Sequence, residues 1–430
     1  MWFSGKIYIK TSNTSILKTI SLWLSFLFLL TTFVTYKPVI EFYEPFHSKI
    51  LLSRLFGFPL IVLFVFKYFF QPKELFKFPK LFWGGFLLVL LLAATIPFSL
   101  NPYVTLRQVI SITFLMLVSI AVFDAFKEFE WSQFAKLTTI ILLLLSGIGM
   151  VNLILSTLGY PTFLAKNRTD AGMSLFSRFY EAGAFTVCLV CISASLWASG
   201  LKKREQGVFR YLIPLSTVVG LFFLMSTGRV SAISGFVSAI LFFMLWKRNL
   251  ESFWFTLKMG SLFLFNLLIF FLFFPEIFDR FFYRFQSRIF KRVHGTQEAD
   301  FIVDNFFGTF QAFLDHPISG TGLGGFQENY SRYAIHGSFL KMIGEAGLFG
   351  IIGMLIFLGL AVFGIFRLKK QTGNETQQFL YNFFPFFGGL LVSWQYNYIL
   401  NNESFWVVII LLALVFYQAG KENTIRSKWI

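Results

Sequence analysis

Residues Leu81 to Leu100 read LFWGGFLLVLLLAATIPFSL, twenty consecutive positions without a charged side chain. A helix rises about 1.5 Å per residue, so about 20 apolar residues cross a hydrocarbon core about 30 Å thick. Working outward from this stretch, the same pattern recurs to both ends of the chain. Twelve stretches of this kind run approximately Ile16 to Tyr36, Ile50 to Phe70, Leu81 to Leu100, Gln108 to Phe126, Leu137 to Leu158, Glu181 to Ser199, Val208 to Ser226, Val230 to Trp246, Phe255 to Phe274, Ser338 to Phe366, Leu380 to Leu400 and Phe405 to Ala419. The reading is an all-α polytopic membrane protein with about twelve transmembrane helices.

Composition agrees. Hydrophobic residues make up 56% of the 430 positions, 63 of them Phe, while charged residues make up only 13%. A water-exposed surface needs about twice that charge, which excludes a soluble globular protein, and the hydrophobicity excludes disorder. The net charge of +16 would suggest nucleic acid in a soluble chain. In a membrane chain basic residues gather in cytoplasmic loops as topology signals, so no nucleic-acid partner is expected. Two cysteines make no disulfide framework. The first stretch is too long for a signal-peptide core and lacks a small-residue cleavage pattern, so it is expected to stay as a span.

Twelve spans put both termini on one side. Twenty Lys and Arg residues fall on that side, from Lys6 through Lys202, Lys203 and Arg204 to Lys428. The short loops of the other side hold seven: Lys37, Lys49, Arg107, Lys166, Arg168, Arg178 and Arg229. The bias makes both termini cytoplasmic. Residues 1–274 then form spans one to nine, residues 275–337 a large outward loop between spans nine and ten, and residues 338–430 the last three spans and a short cytoplasmic tail. In the loop, Arg280, Arg284 and Arg288 share one face of a Phe-rich helical stretch, which predicts a helix lying in the membrane interface beside lipid headgroups. Ala299 to Asp315 predicts a second short helix, closed by Pro317.

Chemistry-bearing residues concentrate outward. Gly320-Thr-Gly322-Leu-Gly324-Gly325 matches the dinucleotide fingerprint in letters alone, since no strand precedes it and no βαβ unit surrounds it. Two readings stand: a tight turn, or a turn whose amides contact an anion. His336 ends the large loop just before span ten, placed either as a proton-transfer group or as a plain interfacial histidine. His316 suits a turn, while His294 and His47 have no useful neighbours, and no set of residues has metal-ligand spacing. Arg229 follows Ser226-Thr-Gly228 in a very short outward loop, and Arg168 and Arg178 lie in the neighbouring one. Three guanidinium groups there suit either a phosphate ligand or lipid headgroups. Glu345 and Lys341, four residues apart at the start of span ten, suit a structural ion pair. Cys188 and Cys191 inside span six suit apolar packing.

His316-Pro-Ile-Ser-Gly-Thr-Gly-Leu-Gly-Gly-Phe326, then Ala334-Ile-His336-Gly-Ser-Phe-Leu340, then Gly344-Glu-Ala-Gly-Leu-Phe-Gly350 resemble the signature of the O-antigen ligase and O-antigen polymerase superfamily. Ser226-Thr-Gly-Arg229 resembles its "S-R" element, and Arg178-Phe-Tyr-Glu181-Ala-Gly-Ala-Phe resembles the "F-x-E-P" element of repeat-unit polymerases, with Ala182 in place of proline. The motifs cover about half the chain, and Gly337 stands where the family has Asn. The resemblance implies a glycosyltransferase of the bacterial inner membrane with its active site on the periplasmic face, serving polysaccharide or lipopolysaccharide biosynthesis. It implies an undecaprenyl-diphosphate-linked glycan as donor, inversion at the sugar, and no cofactor or metal. The acceptor it implies is lipid A core for a ligase, or a second lipid-linked glycan for a polymerase. By the same resemblance His336 is the general base or acceptor-orienting residue, Arg229 holds the diphosphate with Arg178 and Arg168 beside it, and Glu345, Glu181, Gly322 and Gly324 support the site. The ten residues from Lys421 leave no room for the additional C-terminal domain of protein-glycosylating relatives. A polytopic transporter or flippase of lipid-linked glycans is the competing reading, although related halves and matching broken helices are not visible in the sequence.

Overall fold

The computed structural model describes residues 13–32, 34, 40–42, 48–70, 72–160, 179–200, 207–276, 278–279, 282–283, 286, 297–327, 329–331, 334–335, 337–369, 374–395 and 398–427. The architecture is an all-α polytopic one. The described helices are α1 (Asn13–Thr31), α2 (Leu52–Phe69), α3 (Lys80–Ala93), α4 (Pro102–Phe126), α5 (Trp131–Thr157), α6 (Phe179–Ala198), α7 (Phe209–Ser226), α8 (Val230–Lys247), α9 (Leu250–Phe273), α10 (Gln297–Asp315), α11 (Ser338–Lys369), α12 (Asn374–Trp394) and α13 (Glu403–Ser427). A three-residue antiparallel hairpin, Ile40–Phe42 with Ser48–Ile50, joins α1 to α2.

Ten of these helices are long and apolar enough to cross a membrane: α2 to α9, α11 and α13. Of the other two apolar stretches, the first overlaps α1 and the eleventh overlaps α12 in part. The apolar part of α1 is only Ile16–Thr31, and α12 opens on Asn374, Glu375 and Gln377 and carries Asn382 inside. The eleventh stretch is displaced from its expected position. The helix ends at Trp394 instead of Leu400 because the next residues bind elsewhere: the Ile399 amide donates to Ser338 Oγ at 3.1 Å, and the Leu400 carbonyl accepts from Trp406 Nε1 at 2.9 Å.

Helices α6 and α13 form the centre. Val407 to Val415 is buried on every side, as a helix that is apolar all round should be. Lipid is as apolar as Leu, so helices in a bilayer hold together by close packing and internal hydrogen bonds. The closest pair is α8 with α12, where Gly235 and Ala239 meet Gly389 and Ser393, small residues that let the backbones approach. Several buried hydroxyls bond within the bundle: Thr186 and Ser195 donate to carbonyls four residues back, and Ser193 Oγ lies 2.6 Å from Ser216 Oγ, linking α6 to α7. Helix α9 is peripheral, with Leu264, Phe271 and Phe273 exposed as a lipid-facing side chain would be.

The two ends of the bundle differ. At one end Asp124 is clamped by Lys67 at 2.6 Å and Lys127 at 2.7 Å and accepts from the Tyr68 hydroxyl. Trp131 there donates from its backbone amide to Gln418 and from its ring to Thr376. The other end gathers the last turns of α3, α7 and α12 and the first turns of α2, α4, α6, α8, α11 and α13, and it carries the candidate site.

Candidate functional site

The glycine-rich loop 316–326 is fixed between α4 and α11. Gly320, Gly322 and Gly324 have φ of +62°, +84° and +84°, a left-handed path that residues with a Cβ rarely take. From the α3–α4 connection, the Leu100 amide donates to the Thr321 carbonyl at 2.9 Å, and Thr105 Oγ1 donates to the Leu323 carbonyl at 3.1 Å. Ser99 Oγ lies 2.7 Å from Thr105 Oγ1. On the other side the Thr321 amide donates to the Gly344 carbonyl at 3.1 Å, and the Gly324 amide donates to Glu345 Oε2 at 2.6 Å.

Helix α11 is broken to receive this loop. Gly347 has φ +56° and ψ −146°, and the amides freed by the break, those of Leu348 and Phe349, donate to the carbonyls of Pro317 and Ile318 at 2.9 and 3.1 Å. The Pro317–Ile318 backbone thereby caps a helix interrupted in mid-run. A Cβ on Gly347 would press on the Pro317 carbonyl and the Gly320 amide, so the break and the loop fit only without one.

Glu345 is buried, and its Oε2 also meets Lys341 Nζ at 3.3 Å. The Lys341 ammonium lies 4.1 Å from the ring centroid of Tyr398. The expected ion pair is therefore present, and it acts as the seat of the glycine-rich loop. The amides of Gly320, Thr321, Gly324 and Gly325 all donate within the chain, to His316, Gly344, Glu345 and Gly322, and the carboxylate among these acceptors is that of Glu345.

Beyond the loop, the ring of His316 packs edge-on against Tyr330. Burial and then the hydrogen bond to Asp315 push the Tyr330 phenol above its ordinary pKa range. Gly337 lies directly beneath the Gln395 carbonyl, and a Cβ would collide with it. Glycine is therefore the residue that fits at this position.

Arg229 is the N-cap of α8, half-buried, and its side-chain stem lies against Gly183 of α6. The Thr227 hydroxyl before it donates to the Leu224 carbonyl and accepts weakly from the Arg229 amide, holding the short turn. Glu181, two residues before Gly183, is in the first turn of α6, and the buried Glu403 is in the first turn of α13. Arg54 at the start of α2 donates to Ser111 of α4. Contacts therefore join Arg229 to α6, while the segment before α13 is tied separately to the start of α11 through the Ile399 amide and Ser338.

The structure thus brings Arg229, Glu181, Glu345, Gly322 and Gly324 to one end of the bundle. His336, Arg168 and Arg178 lie outside the described residues, as do Arg280, Arg284 and Arg288. Both cysteines are free and fully buried in α6. Sequence reasoning missed Arg54, Tyr398 and Glu403. A carboxylate opening an apolar run was a usable signal for Glu403, whereas Arg54 and Tyr398 gain meaning only from their neighbours. Among the described residues no three His, Cys, Asp or Glu side chains stand together as metal ligands would. No protein-family profile matches the chain, and no match was found among proteins of established function.

Proposed function

We propose that the protein is a glycosyltransferase of the O-antigen ligase and polymerase type. In this reading it is a twelve-span protein of the bacterial inner membrane with cytoplasmic termini, and its site faces the periplasm. One observation carries the proposal. The two stretches that resemble the superfamily most, His316–Phe326 and Gly344–Gly350, form one hydrogen-bonded unit, through Thr321 to Gly344, Gly324 to Glu345, Leu348 to Pro317 and Phe349 to Ile318. Motifs that are only neighbours in the chain need not interlock, whereas parts of one site should.

The donor is a glycan on undecaprenyl diphosphate. A hydroxyl of the acceptor attacks the anomeric carbon while the bond from that carbon to the diphosphate oxygen breaks, with inversion. Arg229 holds the departing diphosphate, whose charge grows in the transition state, and a partly dry site strengthens that interaction. Arg168 and Arg178 add to the clamp. His336 accepts the proton of the attacking hydroxyl or orients it. Glu345 does not take part in proton transfer in this scheme; with Lys341 it holds the loop. The acceptor is lipid A core or a second lipid-linked glycan.

The test uses cells lacking the gene, complemented with wild type, Arg229→Ala or His336→Ala, and reads the gel profile of surface polysaccharide and carrier-linked glycan. Both variants are expected at normal protein level with product lost. Long polymer stranded on the carrier identifies a ligase, and single repeats on the acceptor identify a polymerase. A normal profile from both variants overturns the assignment and favours a transporter.

A further inference from the structure

We infer that α10 is seated in one leaflet of the membrane, its outward arc in contact with lipid acyl chains. Around α10 the side chains from Asn305 onward sort into three arcs. Asn305, Thr309 and Ala312 are buried, with Thr309 against Gly344 of α11. Phe306, Phe307, Phe310 and Leu314 form a second arc of about 100° and are exposed, Phe307 by 67% and Leu314 by 70%. Gln311 and Asp315, joined by a 2.9 Å hydrogen bond, form an exposed polar arc. A helix outside the spans with one face on protein, one bare and aromatic and one polar has the pattern of a helix lying in a membrane boundary.

The height of α10 fits. Helix α11 has 32 residues, more than a span needs, and its break at Gly347 leaves the part from Leu348 to Lys369 at 22 residues, close to the hydrocarbon thickness. Helix α10 packs on the part before the break, at the membrane boundary. The bare arc also continues into the lipid-facing belt of α11. Exposed Ile318 follows Leu314, its carbonyl accepts from Phe349, and exposed Leu348, Ile352 and Leu355 carry the same strip along the span. That continuity identifies lipid as the occupant. The inference is independent of the glycosyltransferase reading.

The experiment places single nitroxide labels on Phe307→Cys, Leu314→Cys, Gln311→Cys and Leu355→Cys in the full chain, whose own cysteines are fully buried. The protein is reconstituted in vesicles of phosphatidylethanolamine and phosphatidylglycerol, and collision with oxygen is compared with collision with a water-soluble nickel chelate. Labels at 307 and 314 are expected to favour oxygen, as at 355, with the ratio reversed at 311. Labels at 307 and 314 that favour nickel overturn the proposal, because the arc then faces water. Shielding from both reagents overturns it too, because protein then covers the arc. Should Phe307→Cys fail to fold, Phe310→Cys reports on the same arc.

Discussion

At the residue scale Glu345 shows how a costly group is kept. A carboxylate buried at the start of a span is tolerated because it accepts from a backbone amide and from an ammonium at once, at 2.6 and 3.3 Å. Removing one partner of such a pair leaves the other charge buried alone, at a cost of about 3–5 kcal/mol. Glu345→Ala should lose about that much stability in detergent-solubilised thermal unfolding. Glu345→Gln should lose less, since its amide oxygen still accepts from Gly324, and adding Lys341→Met to it should recover most of the loss. Equal melting of Glu345→Ala and wild type would mean that this carboxylate does not hold the loop. The proposed diphosphate clamp predicts a different behaviour for Arg229: a guanidinium can grip a phosphate with two parallel hydrogen bonds, so under that proposal Arg229→Lys should not restore product.

At the scale of elements the interrupted helix α11 is the distinctive device. Gly347 has backbone angles open essentially to glycine alone, and such strain costs about 1–3 kcal/mol in other residues. The contact of an added Cβ with Pro317 and Gly320 comes on top. Gly347→Ala should therefore lower the melting temperature and expose the loop 316–326 to added protease. The control is Gly359→Ala in the same helix, where a Cβ meets open space and stability should hold or rise slightly. Similar behaviour of the two variants would show that the break is not needed. The break was hidden in the sequence because Ser338 to Phe366 reads as one span, apolar apart from Lys341 and Glu345, and glycines at 344, 347 and 350 serve equally for packing and for bending.

At the scale of the whole molecule the arrangement of ends makes topology testable. The proposed even number of crossings, with basic loops inside, predicts that a fluorescent protein fused after Ser427 glows in the cytoplasm, while alkaline phosphatase fused after Tyr160 is active outside. Active phosphatase at the C-terminal position would overturn either the count or the orientation. The helices themselves were legible in advance, because a backbone in lipid must satisfy its own hydrogen bonds and a span must be long and apolar, constraints that act locally and leave a mark in composition. Arg229, Glu345 and the glycine-rich turn were legible as candidates for a related reason, since charge and glycine are rare in such surroundings. Only the tertiary structure decided what those residues do for one another. That the turn binds Glu345, that Gly347 opens a helix for Pro317 and Ile318, and that Arg54 of α2 donates to Ser111 of α4 are consequences of packing between segments far apart in the chain. Residue order carries no local trace of such partners, because each is a group that folding brings to the residue.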